Sequence, residues 1–135
     1  MRILALDYGR KRVGVALTDP LAIIAQPLPF MAMHKEIITD IIGLIQDKQV
    51  AKIIVGLPLT MKGTDSEMTQ EARDFARSIE QACSVPVVLY DERCTSSSAN
   101  DALLQGNVSR QKRKQLVDSI AASILLQAYL EEHGS

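Results

Sequence analysis

The sequence predicts an α/β domain built on a mixed five-stranded sheet, and three features of it do so. The first eighteen residues hold two β-rich runs separated by a short glycine-containing turn. A proline-marked third run follows with no helix before it. After that, helical and strand patterns alternate to the end of the chain.

Taken in order, residues 2–7 (RILALD) form an apolar run closed by an acid, the pattern of a strand buried on both faces. Gly9-Arg10-Lys11-Arg12 makes the turn, and residues 13–18 (VGVALT) make the second strand of an antiparallel hairpin. A weaker third strand is expected near 22–28, ended by Pro27 and Pro29, and its prolines suit a sheet edge. Residues 34–48 repeat Ile37, Ile38, Ile41, Ile42, Leu44 and Ile45 at helical spacing, which outweighs the low helix propensity of isoleucine. Residues 51–57 read as a buried strand stopped by Pro58. Thr64 and Glu67 stand at capping-box spacing before a helix that reaches about Cys83. Residues 85–90 give the last strand, 96–105 a short helix, and Ser109 caps a long helix with Val117, Ile120, Ala121, Ile124, Leu125 and Ala128 on one stripe.

A meander of three antiparallel strands followed by strand–helix–strand crossovers is the pattern of an RNase H-like fold. A flavodoxin-like arrangement would put a helix directly after the first strand. The 135 residues fit a single domain, and 47% apolar with 23% charged residues is ordinary for a globular chain. Cys83 and Cys94 share no pairing pattern and are expected as free thiols. No run approaches the ~20 apolar residues that cross a bilayer, and the N-terminus lacks the order of a signal peptide, so the expectation is cytoplasmic with no membrane partner.

Four acids stand out. Asp7 closes the first strand in phase with Ile3 and Ala5, Asp91 and Glu92 close the last, and Asp118 lies about 80° from the middle of the long helix's apolar stripe at ~100° per residue. Singly, each has a plain structural explanation. Asp7 could cap a turn, Asp118 could pair with Lys114, and Asp91 or Glu92 could pair with Arg93 or be solvated. Together they fall at one end of the expected sheet. Converging carboxylates repel unless a cation joins them, and an all-oxygen ligand set suits Mg²⁺ or Mn²⁺, the ions of phosphodiester hydrolysis.

The net charge of −1 conceals clusters of cations. Arg10, Lys11 and Arg12 would sit at the hairpin tip beside Asp7, Arg93 beside the Asp91-Glu92 pair, and Arg110, Lys112, Arg113 and Lys114 at a helix N-terminus. There the helix dipole disfavours cations and a bound phosphate would offset that penalty. These are the candidates for gripping nucleic acid; the alternative is solvated surface. His34 and His133 lie outside every motif, Cys94 lacks a histidine partner, and the five aromatics are too few for a base-stacking platform.

The segments ALDYGRKRVGVALTDP, IIVGLPLTMKG, VPVVLYDERCTSSSA and VSRQKRKQLVDSIAASILLQAYL resemble, in order and across nearly the whole chain, the motifs of the YqgF/RuvX-type family. These RNase H-like proteins are similar to the Holliday-junction resolvase RuvC and are described as nucleases that mature the 5′ end of precursor 16S rRNA. The resemblance implies a metal-dependent nuclease with catalytic acids Asp7, Asp91, Glu92 and Asp118, of which Asp7, Glu92 and Asp118 would hold Mg²⁺ or Mn²⁺. It implies structured pre-rRNA or branched DNA as substrate, contact with the ribosomal small subunit, and a monomer or weak dimer. Cys94, Ser96 and Thr60 depart from the family's commoner residues beside the expected groove, where they bear on substrate preference. A resolvase acting as a dimer and a non-catalytic nucleic-acid-binding or ribosome-binding module are the competing functions.

Overall fold

The computed structural model describes residues 2–22, 24–57, 66–91 and 110–133, with the backbone alone at 91, 110–118 and 133. The chain runs through β1 (Arg2–Asp7), β2 (Arg12–Thr18), β3 (Ala25–Ala32), α1 (Ile37–Lys48), β4 (Val50–Leu57), α2 (Glu67–Ala82), β5 (Val87–Asp91) and α3 (Arg110–His133). The strands form one sheet in the order β3-β2-β1-β4-β5. The first three are antiparallel neighbours, and β4 and β5 join parallel to β1. The helix expected at 96–105 lies outside the described residues.

Strand alternation sorts the core into two layers. Leu4, Leu6, Val13, Val15, Leu17, Ile53 and Val55 meet Ile37, Ile41 and Ile45 of α1 and Phe75, Ala76 and Ile79 of α2 on one face. Ile3, Ala5, Ala16 and Ile54 meet Ala122, Leu125, Leu126, Tyr129 and Leu130 of α3 on the other. The alanines on this second face let the long helix lie close to the sheet.

Three boundaries differ from expectation for physical reasons. β3 does not stop at its prolines but continues to Ala32, because an edge strand needs ladder donors on one side only. An irregularity in its pairing accommodates them: Val13 faces Met31 while Val15 faces Leu28, so β3 carries one extra residue there. Leu28 and Met31, three apart, thereby both pack against the α1/α2 core. At α2 the cap is Ser66, whose hydroxyl accepts from Thr69 N–H at 3.2 Å while Thr69 Oγ1 accepts from Ser66 N–H at 3.0 Å. The box is thus Ser66/Thr69 in place of Thr64/Glu67.

The third concerns which side of α3 is buried. Of the expected stripe, Ile120 and Leu125 are buried but Ala121, Ile124 and Ala128 are only partly covered, and Ser119, Ala122, Leu126, Tyr129 and Leu130 complete the buried side. Apolar residues encircle this helix, so periodicity alone cannot choose its inner face. Polar side chains do. Ser119 Oγ accepts from Val15 N–H at 3.0 Å, Gln127 Oε1 from Ala25 N–H at 3.3 Å, and Lys52 Nζ donates to the Tyr129 hydroxyl at 2.9 Å. The Tyr90 hydroxyl donates to the Glu132 carboxylate.

Candidate active site

β1, β4 and β5 run parallel, so their C-terminal ends share one edge of the sheet, at Asp7, Leu57 and Asp91. Asp7 is in phase with Ile3 and Ala5, hence on the face that α3 covers. Its antiparallel partner is Gly14. On the other side, one step beyond the Leu6↔Val55 pair brings it level with Gly56, which pairs in turn with Tyr90. Both glycines are buried. The acid is therefore flanked on its own face by two positions without side chains, which leaves room beside it.

The tethers of α3 fix its direction. Ser119 is held at Val15, beside the Asp7 edge, and Tyr129 at Lys52, near the start of β4. The helix thus runs opposite to β1, and its turns before Ser119 extend toward the Asp7 edge by about 13 Å at 1.5 Å per residue. Asp118 precedes the tethered serine by one residue. It stands one turn before the fully buried Ala122, in the row that continues to Leu125 and Tyr129. Asp7 and the Asp118 position are accordingly on one side of the sheet at one end. Asp91 closes β5 opposite Leu57. Glu92 and Arg93 lie outside the described residues, and Arg110, Lys112, Arg113 and Lys114 occupy the first turns of α3, known here by backbone. Among the described residues no three His, Cys, Asp or Glu side chains gather into a metal-sized cluster.

A cleft of about 280 Å³ lies at the hairpin turn, lined by Asp7, Tyr8, Gly9, Arg10, Lys11, Arg12 and Gly14. The expected basic trio thus shares a cavity with the acid. Gly9 is required by space: a Cβ there would lie 2.5 Å from the Arg12 carbonyl oxygen. The three cations differ in their surroundings. Lys11 is exposed, and the Arg12 guanidinium lies over the Phe30 ring at 5.1 Å. Arg10 reaches α2, where its Nε and Nη2 lie 3.0 and 2.7 Å from Glu71 Oε2, with Glu67 3.7 Å away.

The Tyr8 hydroxyl donates to the same Glu71 carboxylate at 3.2 Å. The bond from Arg10 holds the Glu71 carboxyl below the ordinary 4.5, and Glu71 in turn holds the Arg10 guanidinium above its usual range. Burial, followed by the hydrogen bond to Glu71, pushes the Tyr8 phenol up. Glu71 and Ser119 were not among the residues singled out from sequence. Glu67 and Glu71, at i and i+4, place two like charges on one helix face, a signal that a cation from elsewhere meets them. Ser119 showed only as a polar residue inside an apolar run.

A sheet of this order, with an acid ending its central strand and a long helix laid across that acid's face, defines an RNase H-like domain of the resolvase type. The solved structures agree on the fold. Thermus thermophilus RuvC in complex with a Holliday junction superposes with a TM-score of 0.63 at 14% identity, covering 100% of this chain and 97% of that one. The fowlpox virus resolvase in complex with Holliday junction DNA gives 0.64 at 14%, covering 100% of both. The chain belongs to the RuvX family, described as a Holliday junction resolvase, whose pattern matches residues 1–132. A relative from Koribacter versatilis is 43% identical over 136 residues, covering 98% of this chain and 88% of its own. One from Syntrophomonas wolfei is 43% identical over 133 residues, covering 97% and 94%. Both are provisionally named pre-16S rRNA nucleases.

Proposed function

We propose that this chain is a cytoplasmic metal-dependent endonuclease that hydrolyses a phosphodiester bond in structured RNA, in the 5′-end maturation of precursor 16S rRNA. The observation that carries this is the placement of Asp7: an acid ending the central strand, between two side-chain-free positions, on the face crossed by the helix that bears Asp118. The names of the relatives supply the substrate. No helix among the described residues is long and apolar enough to cross a membrane.

The donor set fits a hard divalent ion, being carboxylate oxygen throughout, with open space beside Asp7. Asp7, Glu92 and Asp118 would hold it. Glu92 is preferred to Asp91 on sequence parity, since Val88 and Tyr90 pack toward α3 and successive strand residues alternate between faces. When bound, Mg²⁺ or Mn²⁺ supplies Lewis acidity toward the phosphate oxygens and the attacking water. The chain's own contribution is placement. Ser119 fixes the height of α3, and the glycines at 14 and 56 keep the flanks of Asp7 open. Arg10, Lys11, Arg12, Arg93, Arg110, Lys112, Arg113 and Lys114 draw the phosphate backbone across that edge.

The test is a cleavage panel of 5′-extended precursor 16S fragments and four-way DNA junctions, run with Mg²⁺, Mn²⁺ or chelator. Asp7→Asn should lower the cleavage rate on the order of 100-fold or more, as removal of a metal ligand does, with an unchanged melting curve. Equal cleavage by both proteins overturns the proposal. The family description favours a second substrate, the four-way DNA junction. Symmetric cutting there needs two sites a fixed distance apart and hence a dimer, so a monomer at micromolar concentration in ultracentrifugation counts against it.

A further inference from the structure

At the rim of the Asp7 cleft, the Arg10 guanidinium is fixed by a residue from another element. Its Nε lies 3.2 and 3.0 Å from Glu71 Oε1 and Oε2, and its Nη2 lies 2.7 Å from Oε2. The Tyr8 hydroxyl donates to Oε1 at 3.2 Å, and the Tyr8 ring packs on Phe75 of α2 with centroids 5.2 Å apart. One carboxylate thus gathers donors from both sides of Gly9, in a turn where Gly9 already lies tight against the Arg12 carbonyl.

Two properties of this contact point beyond stability. The pair is exposed, 57% at Arg10 and 36% at Glu71, and exposed ion pairs contribute little to folding. A guanidinium also carries five N–H donors in a rigid plane. Glu71 occupies the edge made by Nε and Nη2, and Nη1 makes no hydrogen bond with the described residues. A carboxylate clamped on one edge of that plane sets the direction of the other.

We propose that Glu71 is a positioning residue, which holds Arg10 so that its remaining Nη1 edge meets a backbone phosphate of the nucleic-acid strand lying over the Asp7 cleft. The inference rests on the nuclease reading and deepens it, since it assigns one phosphate contact and the residue that organises it. It also makes a claim opposite in sign to simple electrostatics. Near a polyanion, removing a carboxylate lowers repulsion and should tighten binding. If Glu71 instead presents Arg10, removing it loses a contact.

The experiment measures binding of a fluorescein-labelled RNA hairpin with a single-stranded 5′ extension by anisotropy, over a range of salt. Every protein carries Asp7→Asn so that the probe stays intact. The expected result is that Glu71→Ala weakens binding and makes the salt dependence of log K shallower by about 0.7–0.9, the value of one lost phosphate contact. Arg10→Ala should do the same, and the double variant should be no worse than either single one. Glu71→Gln, which keeps an acceptor oxygen for Arg10 and Tyr8, should retain part of the affinity, which a general loss of structure would not allow. Tighter binding with a steeper salt slope in Glu71→Ala, or strictly additive losses in the double variant, overturns the proposal alone. If the Asp7→Asn parent binds no probe and the wild type cuts none, the nuclease reading falls and the proposal with it.

Discussion

The hydroxyl of Ser119, fully buried in α3, accepts a hydrogen bond from the backbone N–H of Val15 at 3.0 Å. Val15 lies where the β2–β3 pairing shifts register, and it follows Gly14, the strand partner of Asp7. One side chain therefore sets the height of the helix residue next to Asp118 against the strand residue next to the partner of Asp7. Ser119→Ala removes the acceptor and strands a buried donor, with an expected loss of about 1–3 kcal/mol. Urea unfolding measures that loss, and faster exchange of the Val15 amide locates it. Cleavage should fall in kcat more than in KM, because the Asp118 position shifts relative to Asp7 while Arg10, Lys11 and Arg12 of the hairpin turn stay in place to grip the backbone. An unchanged urea midpoint would show that the bond contributes nothing to the docking of α3.

Gly9→Ala is the sharpest test of the turn. Where the backbone conformation is accessible to alanine, removing a glycine ordinarily stabilises a protein by about 0.4–1 kcal/mol through the unfolded chain. At Gly9 the obstacle is space, since the new methyl would lie 2.5 Å from the Arg12 carbonyl oxygen, a backbone atom that cannot swing aside. The sign should reverse, to a loss of about 1–3 kcal/mol, with weaker nucleic-acid binding as the Arg10–Glu71 pair loses its alignment. A higher melting temperature for Gly9→Ala would contradict this account.

Much of this arrangement was legible before folding was considered, and the parts that were not share one cause. β1 announced itself because Ile3, Leu4, Ala5 and Leu6 are buried on both faces and Asp7 breaks the run in phase with the α3 side. The alternation of strands and helices after β3 gave the topology, because crossovers between parallel strands have few solutions. The extent of β3 was hidden because the irregularity that carries it past its prolines exists only in its pairing with β2, where Val13 faces Met31 and Val15 faces Leu28. The inner face of α3 was hidden because apolar residues surround it, and the choice lay with Ser119, Gln127 and Tyr129, whose partners are at Val15, Ala25 and Lys52. Glu71 was hidden for the same reason, its cation being 61 residues away in the chain. Local pattern identifies elements, whereas polar side chains that meet across long separations fix how the elements dock.

Gln49 offers a stabilising change far from the cleft. It ends α1 in the left-handed region at φ 55°, with its N–H donating to the Ile45 carbonyl, and its side chain is exposed. An L-residue pays about 1–2 kcal/mol in that conformation, while glycine adopts it freely at some entropic cost in the unfolded chain. Gln49→Gly should therefore raise stability by about 0.5–1 kcal/mol, seen as a higher urea midpoint at an unchanged slope. Cleavage should be unaffected, since Gln49 lies at the opposite end of β1, where Val50 pairs with Arg2. A lower midpoint would mean that the glutamine side chain contributes more than its backbone strain removes.

The Tyr8–Arg10–Glu71 cluster gives the fold an acid dependence with a defined sign. Arg10 holds the Glu71 carboxyl below its ordinary 4.5. A carboxyl with a lowered folded-state pKa adds stability above its unfolded pKa, and that addition disappears as the pH falls through the folded-state value. Near neutrality Glu71 and Arg10 are both ionised, while burial and the hydrogen bond to Glu71 keep the Tyr8 phenol in its neutral, donating form. Comparing wild type with Glu71→Gln by urea unfolding should show a small excess stability in the wild type at pH 7, narrowing as the pH drops past 4.5. The excess should also shrink at high salt, because both partners are exposed and their attraction is screened. If the excess instead persisted undiminished at pH 3, ionisation of Glu71 would not be its source. The contact with Arg10 would then have to act through packing alone.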